Sequence, residues 1–266
     1  MPIVLHRFPL SHFCEKGRLL LEAKGLSHRI QEHQLGLPQL GIVRLSGQRK
    51  LPVIEDDRRV IADSTEIALY LDERYPERPL LPREPAARRE VLALEDRIDR
   101  VMGGDAPLAW FDWIVRERPD DVRRFMQIEV WGPGSGALSS LTRRAWLTSP
   151  VQARCRRSLT KARVLLEELC QRLEKSAYLC GDELTLADVA AAGLAFHLEF
   201  PKTRALIEPS LAGVGVPGWA DSEEYQPFFE WRRRLYAEHD SQSTASGTRA
   251  QGARAASASP PSRGSA

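Results

Sequence analysis

Lys50-Leu51-Pro52-Val53-Ile54-Glu55, then Asp56-Asp57-Arg58, then Arg59-Val60-Ile61-Ala62 and Asp63-Ser64-Thr65-Glu66-Ile67, is the stretch that decides the fold. Two short runs, Leu51–Glu55 and Arg59–Ala62, flank three polar residues suited to a tight turn, so they read as paired strands. Asp63-Ser64 opens a helix that carries Ile67, Ala68 and Leu71 toward a core and stops before Pro76. The proline inside Leu51-Pro52-Val53-Ile54 is locally odd. It removes a ladder donor, so it belongs at an edge, a strand start or a functional turn. One reading is an ordinary edge-strand proline. The other is a cis Leu51-Pro52 bond that holds the Leu51 backbone toward a peptide-like ligand, which then pairs as an added strand.

Upstream, Ile3–Phe8 is strand-like and closes at Pro9. Ser11 opens a helix that ends at Lys24-Gly25, with Gly25 as its C-terminal cap. Phe13, Gly17, Leu20 and Leu21 lie on one side of that helix, and Glu15, Arg18 and Glu22 on the other. A second extended run, Ser27–Glu32, follows, and residues 33–49 read as irregular because Gly36, Pro38, Gly41 and Gly47 interrupt any period. The order is β-α-β then β-β-α, an α/β domain over residues 1–76. Pro76, Pro79, Pro82 and Pro85 crowd the linker, residues 77–85.

Residues 86–240 read as an all-α domain, with long helical periodicity over 86–102 and 151–175, a shorter stretch over 185–199, and a loop over Val130–Ser140. Residues 241–266 contain no aromatic or large aliphatic side chain. Such a segment buries too little apolar surface to offset its ordering entropy, and reads as a disordered tail.

The 266-residue chain is 42% hydrophobic and 28% charged, with a net charge of +2, so no global pull toward nucleic acid or a membrane is expected. Arg143, Arg144, Arg154, Arg156, Arg157, Lys161 and Arg163 form the only basic concentration. It lacks aromatic interleaving and is followed by Glu167 and Glu168, so it reads as a solvated helix face. Cys14, Cys155, Cys170 and Cys180 form no Cys-x-x-Cys pair or His-rich cluster, which argues against structural zinc. No secretory signal precedes them, and the longest apolar run, Val189–Phe196, is too short to span a bilayer. Reduced thiols in a cytoplasmic protein are expected.

Several residues carry candidate chemistry. Ser64 sits where helix amides are unpaired and an anion is favoured, and Asp63 beside it can receive an ammonium. A zwitterionic amino-acid end satisfies both; the plain alternative is a helix cap supplied by Ser64. Thr185 with Asp188 three residues on reproduces a capping box, a structural device for starting a core helix. Trp110, Phe111, Trp113, Phe125, Trp131 and Trp146 concentrate in the first half of the helical domain, as core or as the lining of an apolar pocket.

Together Leu5–Arg18, Lys50–Ile54, Asp63–Ile67 and Tyr178–Asp188, in this order and at these separations, resemble the glutathione transferase family over roughly residues 3–240. The resemblance implies a thioredoxin-like glutathione-binding domain in front of a helical domain that supplies the electrophile pocket, with glutathione as co-substrate, no metal, and a homodimer. It implies that Asp63 and Ser64 hold the γ-glutamyl end. Leu51, before Pro52, pairs through its backbone with the cysteinyl part, and Lys50 meets the glycyl carboxylate with help from Gln48.

Ser11 falls where serine-type and cysteine-type relatives keep the activating group; the alternative is a plain helix cap. Cys14 is its rival, because Ser11-x-x-Cys14 looks like a thioredoxin-type pair whose attacking cysteine has become serine. A reactive Cys14 would do thiol-disulfide exchange; an inert one would be a small buried hydrophobe. His12 is either a glutathione contact or a solvated surface residue. The implied activity is attack of a glutathione thiolate on an electrophilic small molecule. The alternatives are a Cys14-dependent reductase or deglutathionylase, and a binding or regulatory protein without catalysis.

Overall fold

The computed structural model describes residues 2–33, 39–118, 120, 146, 151–202 and 211–239. Strand β1 (Ile3–Arg7), helix α1 (His12–Ala23) and strand β2 (His28–Glu32) form the first unit. Helix α2 (Gln39–Ser46) leads to strands β3 (Val53–Asp56) and β4 (Arg59–Ala62), and helix α3 (Ser64–Arg74) closes the domain. The strand order is β2-β1-β3-β4. β2 runs parallel to β1, and β3 and β4 pair antiparallel. This is a four-stranded mixed sheet of the thioredoxin-like kind.

Two expectations are corrected here. Residues 39–46, expected to be irregular, are helical. The glycine in that helix costs about 1 kcal/mol relative to alanine, but Ile42 is buried to 1% exposure, and burial of an isoleucine contributes about 1.5–3 kcal/mol. The strand turn is also tighter than the three polar residues suggested. Asp56 belongs to β3 and pairs with Arg59, leaving Asp57-Arg58 as a two-residue turn with Asp57 at φ 52°. Left-handed φ at an aspartate is tolerated in such hairpin turns.

The rest is helical: α4 (Pro85–Val101), α5 (Pro107–Glu117), α6 (Val151–Leu173), α7 (Leu186–Leu194) with a short 3-10 continuation over Ala195–His197, and α8 (226–239) after a 3-10 turn at Glu223–Tyr225. The loop expected over Val130–Ser140, the aromatic residues Phe125 and Trp131, and the tail 241–266 lie outside the described residues. Of the basic run, Arg156, Arg157 and Lys161 are exposed, whereas Arg163 lies 4.2 Å from the centre of the Trp219 ring.

The thioredoxin-like unit is fastened to the helices by its first helix. Glu15, Arg18 and Glu22, on the side of α1 opposite Phe13, Gly17, Leu20 and Leu21, are buried as well. Every residue from Cys14 to Ala23 is covered, because α7 and α8 close over the polar side. Gly193 of α7 allows this approach, since a Cβ there would stand 2.7 Å from the Lys16 Cα. Within the helix, Arg18 reaches Glu15 at 2.7 and 3.0 Å and Glu22 at 2.5 Å. At the other end of α1, Asp72 holds the linker by accepting from the Leu80 and Leu81 amides at 2.7 and 3.1 Å and from Lys24 at 2.8 Å. α7 begins with the expected capping box at Thr185. Asp188, fully buried, accepts from the Leu179 amide, the Thr185 amide and the Thr185 hydroxyl at 2.8, 2.9 and 2.6 Å.

Candidate functional site

The sheet register gathers the expected site residues. His6 of β1 pairs with Val53 of β3, and Val53 pairs with Ala62 of β4. The chain segments running beyond these three positions are the Arg7–Ser11 turn, Leu51-Pro52 and Asp63-Ser64. All three therefore lie at one end of three adjacent strands. α1 is pinned to the middle segment through Gly17, where an added Cβ would meet the Pro52 side chain at 3.2 Å.

The Leu51-Pro52 peptide bond is cis. Pro52 is buried and Leu51 half-buried, and neither backbone polar group of Leu51 has a hydrogen-bond partner among the described residues. Lys50 is exposed beside it. The Gln48 side-chain nitrogen is buried without a partner among the described residues.

Asp63, not Ser64, caps α3. Its backbone is left-handed at φ 78°, and its carboxylate accepts from the Thr65 and Glu66 amides at 2.9 and 3.4 Å. A carboxylate gains most from the two orphan amides of the first turn, so the cap moves one residue ahead of the serine. Ser64 is the first helical residue, 2% exposed, and its hydroxyl has no partner among the described residues.

Ser11 is the N-cap of α1, and its hydroxyl oxygen accepts from the Cys14 amide at 3.3 Å. Cys14 is 1% exposed, and its sulfur accepts from the Phe8 amide at 3.4 Å. Burial pushes this thiol up to about 11, against opposing hydrogen bonds from Ser11 and Phe8. Such a group holds almost no thiolate at neutral pH.

His12, expected as a glutathione contact or a solvated residue, is half-buried at the start of α1. Its Nε2 bonds the Gly103 carbonyl at 2.8 Å, and its ring packs on Phe13 and His197 at centroid distances of 4.6 and 5.1 Å. Burial brings its pKa down to about 4, so it is neutral.

Sequence reasoning missed a buried ion cluster behind α3. Lys16, fully covered, donates to Glu95 at 2.5 Å, to both Asp99 oxygens at 2.8 and 2.9 Å and to the Thr65 hydroxyl at 3.3 Å. Thr65 itself donates to Glu95 at 2.6 Å. Burial raises the Asp99 pKa, Lys16 opposes the shift and Glu95 adds to it. Glu95 and Asp99 stand four apart on α4, a spacing that in sequence reads as a solvated acidic face. Only the fold brings a lysine from 79 residues upstream between them.

A polar row on the sheet, His33–His6–Glu55, engages both His6 ring nitrogens at 2.8 and 2.7 Å, so its donors do not converge on one point. Among the described residues no group of three or more His, Cys, Asp or Glu side chains is arranged to hold a metal, and no helix is long and apolar enough to cross a membrane. Two open clefts, of about 430 and 530 Å³, share Cys180, and the larger borders the linker.

A thioredoxin-like sheet with a cis prolyl bond ahead of β3, its first helix buried under an all-helical domain, defines the class. Residues 5–79 match the Glutathione S-transferase N-terminal domain and residues 148–235 the Glutathione S-transferase C-terminal domain. The chain belongs to the glutathione S-transferase family.

It is 34% identical over 98 residues to a stringent starvation protein A homolog of Coxiella burnetii, covering 37% of this chain and 47% of that one. It is 29% identical over 127 residues to glutathione S-transferase 1 of Dianthus caryophyllus, covering 40% and 57%. The chain thus spans about half the length of the curated relatives it matches. In fold it is similar to a glutathione S-transferase from Rhodospirillum rubrum F11, with a TM-score of 0.61 at 22% identity over 88% of this chain and 87% of that one.

Proposed function

We propose that the protein binds glutathione at this end of the sheet and activates its thiol through Ser11 for attack on an electrophilic small molecule. The carrying observation is that Ser11 caps α1 at the same sheet end as Leu51 and the Asp63-Ser64 helix start. In this reading the tripeptide backbone pairs with the unpartnered Leu51 groups. Its amino-acid end meets Asp63 and Ser64, and its glycyl end meets Lys50 with Gln48. The Ser11 hydroxyl rotates freely about its own bond, so an oxygen that accepts from the Cys14 amide can also donate to a sulfur anion.

The magnitudes agree with this role. Lowering a thiol pKa of about 8.5 by roughly two units takes about 2.7 kcal/mol. A hydrogen bond to an anion supplies about 1.5–3 kcal/mol, and a helix N-terminus about 0.3–1 more. No general base is required.

The depth and raised pKa of Cys14 argue against the alternative thiol-exchange chemistry. A glutathione-binding role without turnover is the second reading, favoured by the likeness to a relative whose name specifies no glutathione chemistry. Homodimer assembly and a cytoplasmic setting belong to the same proposal.

The test is a pH titration of the ultraviolet thiolate absorbance of bound glutathione, in the parent and in Ser11→Ala, with affinity measured by calorimetry. Ser11→Ala is expected to keep affinity and to raise the titration midpoint. An identical midpoint in both proteins removes Ser11 from the mechanism. Absence of binding heat at millimolar glutathione removes the site altogether.

A further inference from the structure

The turn that carries Ser11 is gripped from the helical domain on both sides. The residue after Ser11 is His12, whose Nε2–H donates to the Gly103 carbonyl at 2.8 Å, in the turn that leaves α4. The residue before it is Leu10, whose carbonyl is bonded by the ring of His197, the last residue of the 3-10 continuation of α7. His197 Nδ1 is buried without a partner among the described residues, so the bond to Leu10 runs through Nε2. His12 Nδ1 is likewise buried and unpartnered.

Each imidazole therefore acts as a single neutral donor with its proton on Nε2. Burial lowers both pKa values, His12 to about 4 and His197 well below its ordinary value, which keeps that state across the physiological range.

The rings that surround the pair fix its rotamers. The two imidazoles pack edge-on at 5.1 Å, Trp110 of α5 lies 5.3 Å from His197, and Phe13 lies 4.6 Å from His12. Gly103 is small for the same reason: a Cβ there would stand 2.5 Å from the Phe13 ring. A hydrogen bond weakens steeply once its angle departs from alignment, and a displacement of about 1 Å at a reacting group costs about a hundredfold. The main chain on either side of Ser11 is therefore where alignment of its hydroxyl is decided.

We propose that His12 and His197 are positioning residues, clamping Leu10 and His12 across the domain seam so that the Ser11 hydroxyl is aimed at the glutathione sulfur. The clamp also ties that aim to the α4–α5 turn and Trp110 of the helical domain. This inference rests on the Ser11 reading above and adds the residues that set its geometry.

The test is the same thiolate titration of glutathione bound to the full chain, applied to His12→Leu, His12→Gln, His197→Leu and the double variant Ser11→Ala/His12→Leu. His12→Leu is expected to raise the midpoint by about one unit, a tenfold loss of thiolate below it, with glutathione affinity unchanged. His12→Gln, which retains a donor at the Nε2 position, should return the midpoint to the parent value. His197→Leu, acting from the other side, should reproduce the shift and keeps the test decisive where His12→Leu does not fold. The double variant should titrate no higher than Ser11→Ala alone, since both act through one hydroxyl. A parental midpoint in the two leucine variants, or an additive double variant, overturns the clamp and leaves Ser11 in place. A parent midpoint equal to that of free glutathione overturns the Ser11 reading and the clamp with it.

Discussion

Replacing Lys16 with methionine isolates the buried ion cluster that joins the two domains. The lysine ammonium is fully covered and lies within 3 Å of Glu95 and Asp99, whose side chains are 3% and 20% exposed. Methionine keeps most of the volume but leaves two carboxylates facing each other on one side of α4. Removing one partner of a buried pair costs about 3–5 kcal/mol, because the remaining charge loses both its water and its counterion. For a chain of this size that corresponds to a melting-temperature drop of roughly 6–20 °C.

The sign with pH follows from the chemistry. Burial already raises the Asp99 pKa against the opposing Lys16, and without the lysine Asp99 takes up a proton more readily, so the penalty is largest at pH 8 and shrinks toward pH 5. Glu95→Gln added to Lys16→Met returns the net charge of the cluster to its parental value and should recover part of the loss. Scanning calorimetry of the three proteins at both pH values is the assay. A drop of less than about 2 °C for Lys16→Met at pH 8 would refute the assignment of the cluster as a dry interdomain tie.

Three further outcomes are expected. Asp188→Ala strands two amides and a hydroxyl, so a loss of about 2–4 kcal/mol in urea unfolding is expected, with glutathione affinity unchanged in the folded fraction. His12 has a folded pKa of about 4 against about 6.5 unfolded. The unfolded chain therefore takes up the proton first, and stability is lost as pH falls from about 6.5 to 4, by up to about 3 kcal/mol; His12→Gln should flatten that part of the stability profile. Cys14, with its thiol at about 11 and 1% exposure, should stay unmodified by iodoacetamide at pH 8 until the protein is unfolded. Mass spectrometry of the labelled peptide is the check.

Local chemistry was legible wherever a residue type has one backbone consequence. Gly25 as a left-handed cap at φ 67°, the hairpin around Asp57, and the Thr185–Asp188 box each follow from neighbours a few residues away. The helix at Gln39–Ser46 was not legible, because its glycine argues against a helix and only the burial of Ile42 outweighs it. Asp63 rather than Ser64 as the cap was a one-residue error of the same local kind.

The sequence by itself determined the β-α-β and β-β-α units on either side of α2, the proline ahead of β3, and the serine at the start of α1, since each depends on short-range propensity and spacing. The tertiary structure alone decided that α1 is covered from Cys14 to Ala23, that Lys16 meets Glu95 and Asp99, and that His12 bonds Gly103 while His197 bonds Leu10. Those contacts join residues separated by between 79 and more than 180 positions, whose partners are chosen by packing and desolvation across the domain seam and leave no periodic trace in the chain.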